Sequence, residues 1–163
     1  MAGRFKTMSR VQKGFSLIEL VIVVAVVVIL AAIALPSYLS AKVSSNEASA
    51  VGALHSLNTA AANYCTSYGV FPPALTNLGP APAGTAAAAN LIDELLASGT
   101  KDGYNYVFAL GAPNANGFVG SYTINANPVT PGQTGGRYFY TDQSGVIRYA
   151  IGNPASVTDT PVN

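Results

Sequence analysis

Residues 15–35 read F-S-L-I-E-L-V-I-V-V-A-V-V-V-I-L-A-A-I-A-L, and Pro36 follows. These 21 residues carry a single charge, Glu19. At 1.5 Å per residue a helix over them spans about 31 Å, and the hydrocarbon core of a bilayer is about 30 Å thick. The run is therefore long enough to cross a membrane. Its many Val and Ile residues would suit a strand. In lipid, however, every backbone polar group must be satisfied within the segment, which leaves only helices and closed barrels. Length decides for a helix.

The flanks predict an orientation. Arg4, Lys6, Arg10 and Lys13 precede the run, and only Lys42 lies close behind it. Positive residues stay on the cytoplasmic side. The expected arrangement is a single pass with a cytoplasmic N-terminus and everything beyond about residue 40 on the far side. Over the whole chain the composition is unusual. Only 9% of residues are charged, against about 25% in ordinary soluble domains. From Phe15 onward four basic residues face seven acids, a formal −3. No basic patch or stripe of the kind that marks nucleic-acid binders is visible, so no nucleic-acid partner is expected.

Three readings of the apolar run compete. A secretory signal peptide has an apolar core of about 7–15 residues and a small-residue cleavage site; this core is longer, although Ala31, Ala32 and Ala34 blur the comparison. A plain single-pass anchor fits length and orientation but leaves Glu19 unexplained. An acid inside a membrane helix costs about 2.5–3.5 kcal/mol at the centre, less near the interface, and such residues usually have a partner. No Lys or Arg follows Glu19 until Lys42. Cleavage just before Phe15 would create an α-amino group, with a reference pKa of about 7.7–8.0, one helical turn from Glu19. The same two charges can also meet between two staggered helices.

The segment K-G-F-S-L-I-E-L, followed by the apolar run and a proline, resembles the processing signature of type IV pilins and type II secretion pseudopilins. The resemblance implies that a membrane prepilin peptidase cuts between Gly14 and Phe15 and methylates the new N-terminus of Phe15. It implies that Glu19 neutralises the amine of a neighbouring subunit during assembly. Pro36 falls where the family has a helix-bending proline, and a bend rather than a stop is expected there. The implied leader is 1–14, and starting at Met8 instead of Met1 would shorten it to seven residues. The partners implied are further copies of the chain in a helical homopolymer, the peptidase, and an assembly machinery in the bacterial inner membrane. The destination is an extracellular pilus or a periplasmic pseudopilus.

Beyond Pro36, Ala dominates, and Ala is the best helix former. Ala50, Leu54, Leu57, Ala61 and Tyr64 fall at spacings of 4, 3, 4 and 3, an apolar stripe at helical period. One helix over 15–64, with 15–35 as membrane span and filament core, is predicted to lay this stripe on a small globular region, 65–163. In that region Gly69 and the Pro72-Pro73 pair mark the helix end. Asn90 is expected to cap a short helix from Leu91 to Ala97, with Asp93 and Glu94 in its first turn and Gly99 ending it. Strands are expected at Tyr104–Leu110, Phe118–Ala126, Arg137–Thr141 and Val146–Ile151, with a turn at Asp142–Gly145 and a loose tail over 153–163. The fold class is α+β: a long N-terminal helix with three to four antiparallel strands packed on its outer half.

No catalytic constellation stands out. There is no G-x-S-x-G, H-E-x-x-H, phosphate loop or paired-cysteine motif. His55 is the only histidine, eight residues from Glu47, and reads as a surface residue. Asp93 and Glu94 are adjacent, so their side chains diverge on a helix. Asp142 with Ser144 and Gly145 offers too few ligands for calcium. Cys65 is the only cysteine, which excludes an intrachain disulfide; it is expected as a small buried thiol. Nine tyrosines and six phenylalanines mostly alternate along strands and read as core. The reading is a structural, non-enzymatic subunit with no cofactor and no metal, supporting adhesion or motility. Two alternatives are a secretion pseudopilin and a minor pilin acting as a binding module. Many type IV pilins close their C-terminal loop with a disulfide, which this chain cannot do, and that departure keeps the pseudopilin alternative open.

Overall fold

The computed structural model describes residues 14–162. The expectations for the rest of the leader, Met8 included, lie outside these residues. The described residues fall into two compact units that divide between Tyr38 and Leu39.

A single helix, α1, runs from Leu17 to Tyr68, through Pro36. It ends four residues later than the sequence suggested. The stop is Gly69, at φ +77°, whose N–H donates to the Cys65 carbonyl at 2.8 Å. Glycine adopts this left-handed conformation without a Cβ penalty, which is why it closes helices so often. The smaller unit is the apolar part of α1. It contains a stretch long and apolar enough to cross a membrane, none of it buried within the chain.

In the larger unit the helix carries a buried stripe of Glu47, Ala50, Ala53, Leu54, Leu57, Ala60, Ala61 and Tyr64. All five positions of the predicted stripe are buried. Against it packs one antiparallel sheet in the order β1-β2-β3-β4-β5-β6. Its strands are β1 Thr100–Lys101, β2 Tyr104–Leu110, β3 Tyr122–Pro128, β4 Arg137–Asp142, β5 Arg148–Ile151 and β6 Thr160–Pro161. The α+β class holds, with six strands in place of three to four. Leu54, Leu57, Leu78, Tyr104, Ile124 and Phe139 are fully buried. Burying each such side chain contributes about 1.5–3 kcal/mol.

Four local expectations need correction. Strand β3 starts at Tyr122, not Phe118, because Asn114 claims the preceding residues: its Oδ1 accepts from the Asn116 and Phe118 N–H groups, both at 3.0 Å. Strand β5 starts at Arg148. The short helix α2 covers only Glu94–Ala97, and its cap is Asp93, whose carboxylate accepts from Leu96 N. Asn90 sits instead at φ 55°. The N–H groups of Ala89, Asn90, Leu91 and Ile92 bond to carbonyls of Asn77, Gly79 and Leu78, which pins this stretch against residues 77–79, and at its positive φ Asn90 lacks the extended backbone of an N-cap. The tail is not loose throughout. β6 pairs with β5, and Arg148 Nη1 holds the Asp159 carbonyl at 2.9 Å. A two-residue strand carries no alternation to read.

The aromatic reading holds for Tyr64, Tyr104, Tyr106, Tyr122 and Phe139, which are buried. Phe108 stacks on Tyr122 at 5.3 Å, and Phe71 meets the same ring edge-on at 4.9 Å. Tyr138, Tyr140 and Tyr149 are half-buried, and Tyr38 is exposed. His55 is exposed, as expected, and Cys65 is half-buried and free.

Candidate functional site

Gly14, Phe15 and Ser16 precede α1 outside any helix or strand. Ser16 caps the helix through its carbonyl, which accepts from Glu19 N at 3.1 Å and Leu20 N at 3.2 Å. Nothing lies within 4 Å of a Cβ built on Gly14. Phe15 is 76% exposed. Glu19 is the acid of the first helical turn, where the partial positive charge of the helix N-terminus favours it. Gly14, Phe15 and Glu19 are thus gathered within one turn of the N-terminus. Pro36 lies 17 residues further along α1 and is not part of that cluster.

The flanking surface defines what this site can do. Leu17, Ile18, Leu20, Val21 and Ile22 are each at least half exposed, and so are the Val, Ile and Leu side chains onward to Leu35. A helix that is apolar all round must be covered by lipid or by other helices. The only ionic feature on it is one carboxylate. The arrangement supports insertion and helix–helix association; it holds no general acid–base pair. Among the described residues no group of three or more His, Cys, Asp or Glu side chains could hold a metal ion.

A second ionic feature was not singled out from the sequence. Glu47 lies on the buried stripe, three residues before Ala50, and clamps the start of β4. Its Oε1 accepts from Gly136 N at 2.8 Å and Arg137 N at 3.1 Å, and its Oε2 accepts from Arg137 Nε at 2.7 Å. The Arg137 guanidinium then lies over the Phe139 and Tyr149 rings, at 5.5 and 5.4 Å. Asn46 adds a bond to the Thr134 carbonyl. Close by, Tyr104 donates to the Arg137 carbonyl, and a Cβ on Gly135 would sit 2.0 Å from that hydroxyl. Only glycine fits there. The signal available in the sequence was an acid in register with an apolar stripe, which a buried partner must answer.

Burial is the largest single influence on Glu47 and disfavours its charge. The Gly136 N–H and the Arg137 side chain and N–H together outweigh it and hold the carboxyl below its ordinary value of 4.5. A depressed folded-state pKa contributes stability that is present above the unfolded value and is lost as pH falls through the folded one. Stability of the wild-type chain should therefore fall more steeply below about pH 4.5 than that of Glu47→Gln, which has nothing to titrate at this position. Thermal melts in detergent micelles from pH 6 to pH 3 measure this; parallel curves would remove Glu47 from the account.

Comparison with known proteins bears on the N-terminal cluster. The family profile described as "Prokaryotic N-terminal methylation motif" matches residues 9–35. The type IV major pilin protein PilE of Neisseria gonorrhoeae is 39% identical over 74 residues, 45% of this chain and 44% of that protein. A fimbrial protein of Neisseria meningitidis serogroup A is also 39% identical, with the same shares. The fimbrial protein EcpC of Eikenella corrodens is 43% identical over 65 residues, 40% of this chain and 42% of its own. The chain thus spans a little under half the length of the curated relatives it matches. No solved structure matches it at a significant level. Over a little under half its length the chain is thus similar to type IV pilin and fimbrial proteins, and its N-terminal residues match the prokaryotic N-terminal methylation motif.

Proposed function

We propose that this chain is a structural subunit of a type IV pilus, made as a precursor and polymerised through its N-terminal helix. The observation that carries the proposal is an uncovered apolar stretch of α1 whose single carboxylate, Glu19, sits one turn after a Gly-Phe junction. Before assembly the chain sits in the bacterial inner membrane as a single pass with a cytoplasmic N-terminus. The prepilin peptidase cuts between Gly14 and Phe15 and methylates the Phe15 amine. An assembly machinery then lifts the subunit out of the bilayer into an extracellular homopolymer that supports adhesion or motility. The chain performs no catalysis.

Two physical steps drive assembly. Apolar helices exchange lipid for one another, a step favoured by packing and lipid entropy more than by hydrophobic transfer. The Glu19 carboxylate then meets the Phe15 amine of a neighbouring copy, which fixes the axial register, while Pro36 lets the helix bend between its two environments.

Mass spectrometry of sheared surface filaments tests the reading. The expected mass begins at Phe15 and carries one extra methyl group. A chain that still contains residues 1–14 and forms no polymer would overturn it. A second check is Gly14→Val. Since Gly14 touches nothing in the fold, the substitution leaves folding intact, and uncleaved precursor should accumulate in the membrane. Mature protein in normal amounts would contradict cleavage at this junction.

A further inference from the structure

Strand β2 has one edge that the sheet uses in full and one that it does not. Its seven residues pair with β3, from Tyr104 opposite Pro128 to Leu110 opposite Tyr122. On the other edge β1 reaches only Tyr104 and Asn105, and the Tyr106 N–H donates to the Gly99 carbonyl at 2.7 Å. Bonding direction alternates along an antiparallel strand. The Gly103 carbonyl accepts from Val129 N and Gly111 N donates to the Ser121 carbonyl, both at 2.9 Å and both on the β3 side. Asn105, Val107 and Ala109 therefore also bond toward β3, and the backbone groups of Phe108 and Leu110 point away from the sheet. Among the described residues neither the N–H nor the C=O of these two meets a partner on that side. Edges of this kind are normally blunted by a charge, a proline or a bulge. Strand β2, Y-N-Y-V-F-A-L, has no charge and no proline, and its ladder with β3 is unbroken. Val107 is 53% exposed, and Ala109 and Leu110 are exposed as well.

We infer that this edge pairs with the same edge of a second copy, antiparallel and about a twofold axis at Ala109. What selects a second copy over another extended chain is the complementarity of the edge to its own image. Phe108 and Leu110 each present one donor and one acceptor. In a register centred on Ala109, Phe108 lies opposite the second copy's Leu110, and the two exchange both bonds, so no group of either residue is left over. The side chains agree with that register. Phe108 and Leu110 form an apolar cross-strand pair on each side of the axis. On the other face Ala109 meets Ala109 and Val107 meets Gly111, so nothing bulky or charged opposes its like. A register centred on Phe108 would call on the Tyr106 N–H, which Gly99 already holds. A twofold contact closes at two copies. It is therefore separate from any association through the apolar stretch of α1, and it draws on the larger unit alone.

Ala109 facing itself occupies a non-hydrogen-bonded position, where Cα atoms lie about 4.5 Å apart, within the span of a disulfide. The test uses the full chain with Cys65→Ser and Ala109→Cys, dispersed in detergent micelles at a low protein-to-detergent ratio and oxidised with copper phenanthroline, which traps even a weak pair. Most of the chain should become a disulfide-linked dimer. Cys65→Ser with Ile151→Cys sets the same thiol on β5, at a residue 74% exposed, and should give several times less dimer. Equal yields would mean random collision or association through α1 and would overturn the inference, as would the absence of dimer from the Ala109→Cys chain. Adding Leu110→Pro to that chain removes an outward donor and no bond to β3, the one place a strand tolerates proline, and should cut the dimer about fivefold, the scale of a lost hydrogen bond. An unchanged yield would overturn the pairing. If the proline lowers the melting midpoint of the unit, Leu110→Lys decides in its place. It keeps every backbone group, sets a charge against the second copy's Phe108, and should lower the yield to a similar degree; an undiminished dimer overturns the inference.

Discussion

On the proposed reading, Glu19→Ala should insert into the membrane and be cleaved in wild-type amounts, yet the yield of sheared filament should drop by at least about a hundredfold. Removing a carboxylate from an apolar helix makes insertion easier, since the acid itself costs energy in lipid. The loss arises at assembly. A Phe15 amine drawn into a bundle of apolar helices without its counter-charge leaves an unpaired buried cation. Breaking such a pair costs about 3–5 kcal/mol, and every 1.4 kcal/mol is a factor of ten. Immunoblots of the sheared fraction against total membrane protein measure the effect. Normal filament yield with Ala at position 19 would remove the ionic register from the mechanism and leave only apolar packing.

The second large effect lies in the sheet. Phe139→Ala should lower stability by about 3–5 kcal/mol, the usual cost of deleting a buried aromatic ring. Phe139 has no exposed surface. Its ring lies 5.8 Å from that of Tyr104 and lies beneath the Arg137 guanidinium. The cavity would therefore open beside the Glu47 clamp, on which the start of β4 depends. For a unit of this size the melting midpoint should fall by roughly 10–20 °C, whereas Phe139→Leu, which keeps most of the volume, should cost less than half as much. Melts in detergent micelles decide between them. A midpoint within about 3 °C of wild type would mean that the sheet holds to α1 by other contacts.

The parts that could be read from the sequence are those that repeat. The apolar run announced a helix by length, and the stripe from Ala50 to Tyr64 announced which face would be buried. Both depend on many residues agreeing. Strand β2 was legible for the same reason, since Tyr104, Tyr106, Phe108 and Leu110 alternate over seven residues. What escaped depends on single contacts. β1 and β6 are two residues long and exist because a neighbour offers backbone to pair with. Helix α2 starts late because Asn90 takes a positive φ, while Asp93 has the extended backbone of an N-cap and its carboxylate accepts from Leu96 N. Glu47 escaped for a different reason: local composition presents it as one acid on a long polar helix, and its partners are 89 and 90 residues away. The spacing of Gly14, Phe15 and Glu19 could be read directly because the three lie close together in the chain.

The closing strand of the sheet is fastened by two residue pairs, the Arg148–Asp159 contact, the Val162–Ile147 bond and the packing of Val162 against the core. With one cysteine in the chain no covalent staple ties this end down. Folding therefore asks nothing of a thiol-oxidising enzyme, and a reductant does not loosen the unit. If the chain is assembled under tension as proposed, the short β5–β6 pairing would open before the core does and re-form on the timescale of hairpin formation, about 1–10 μs.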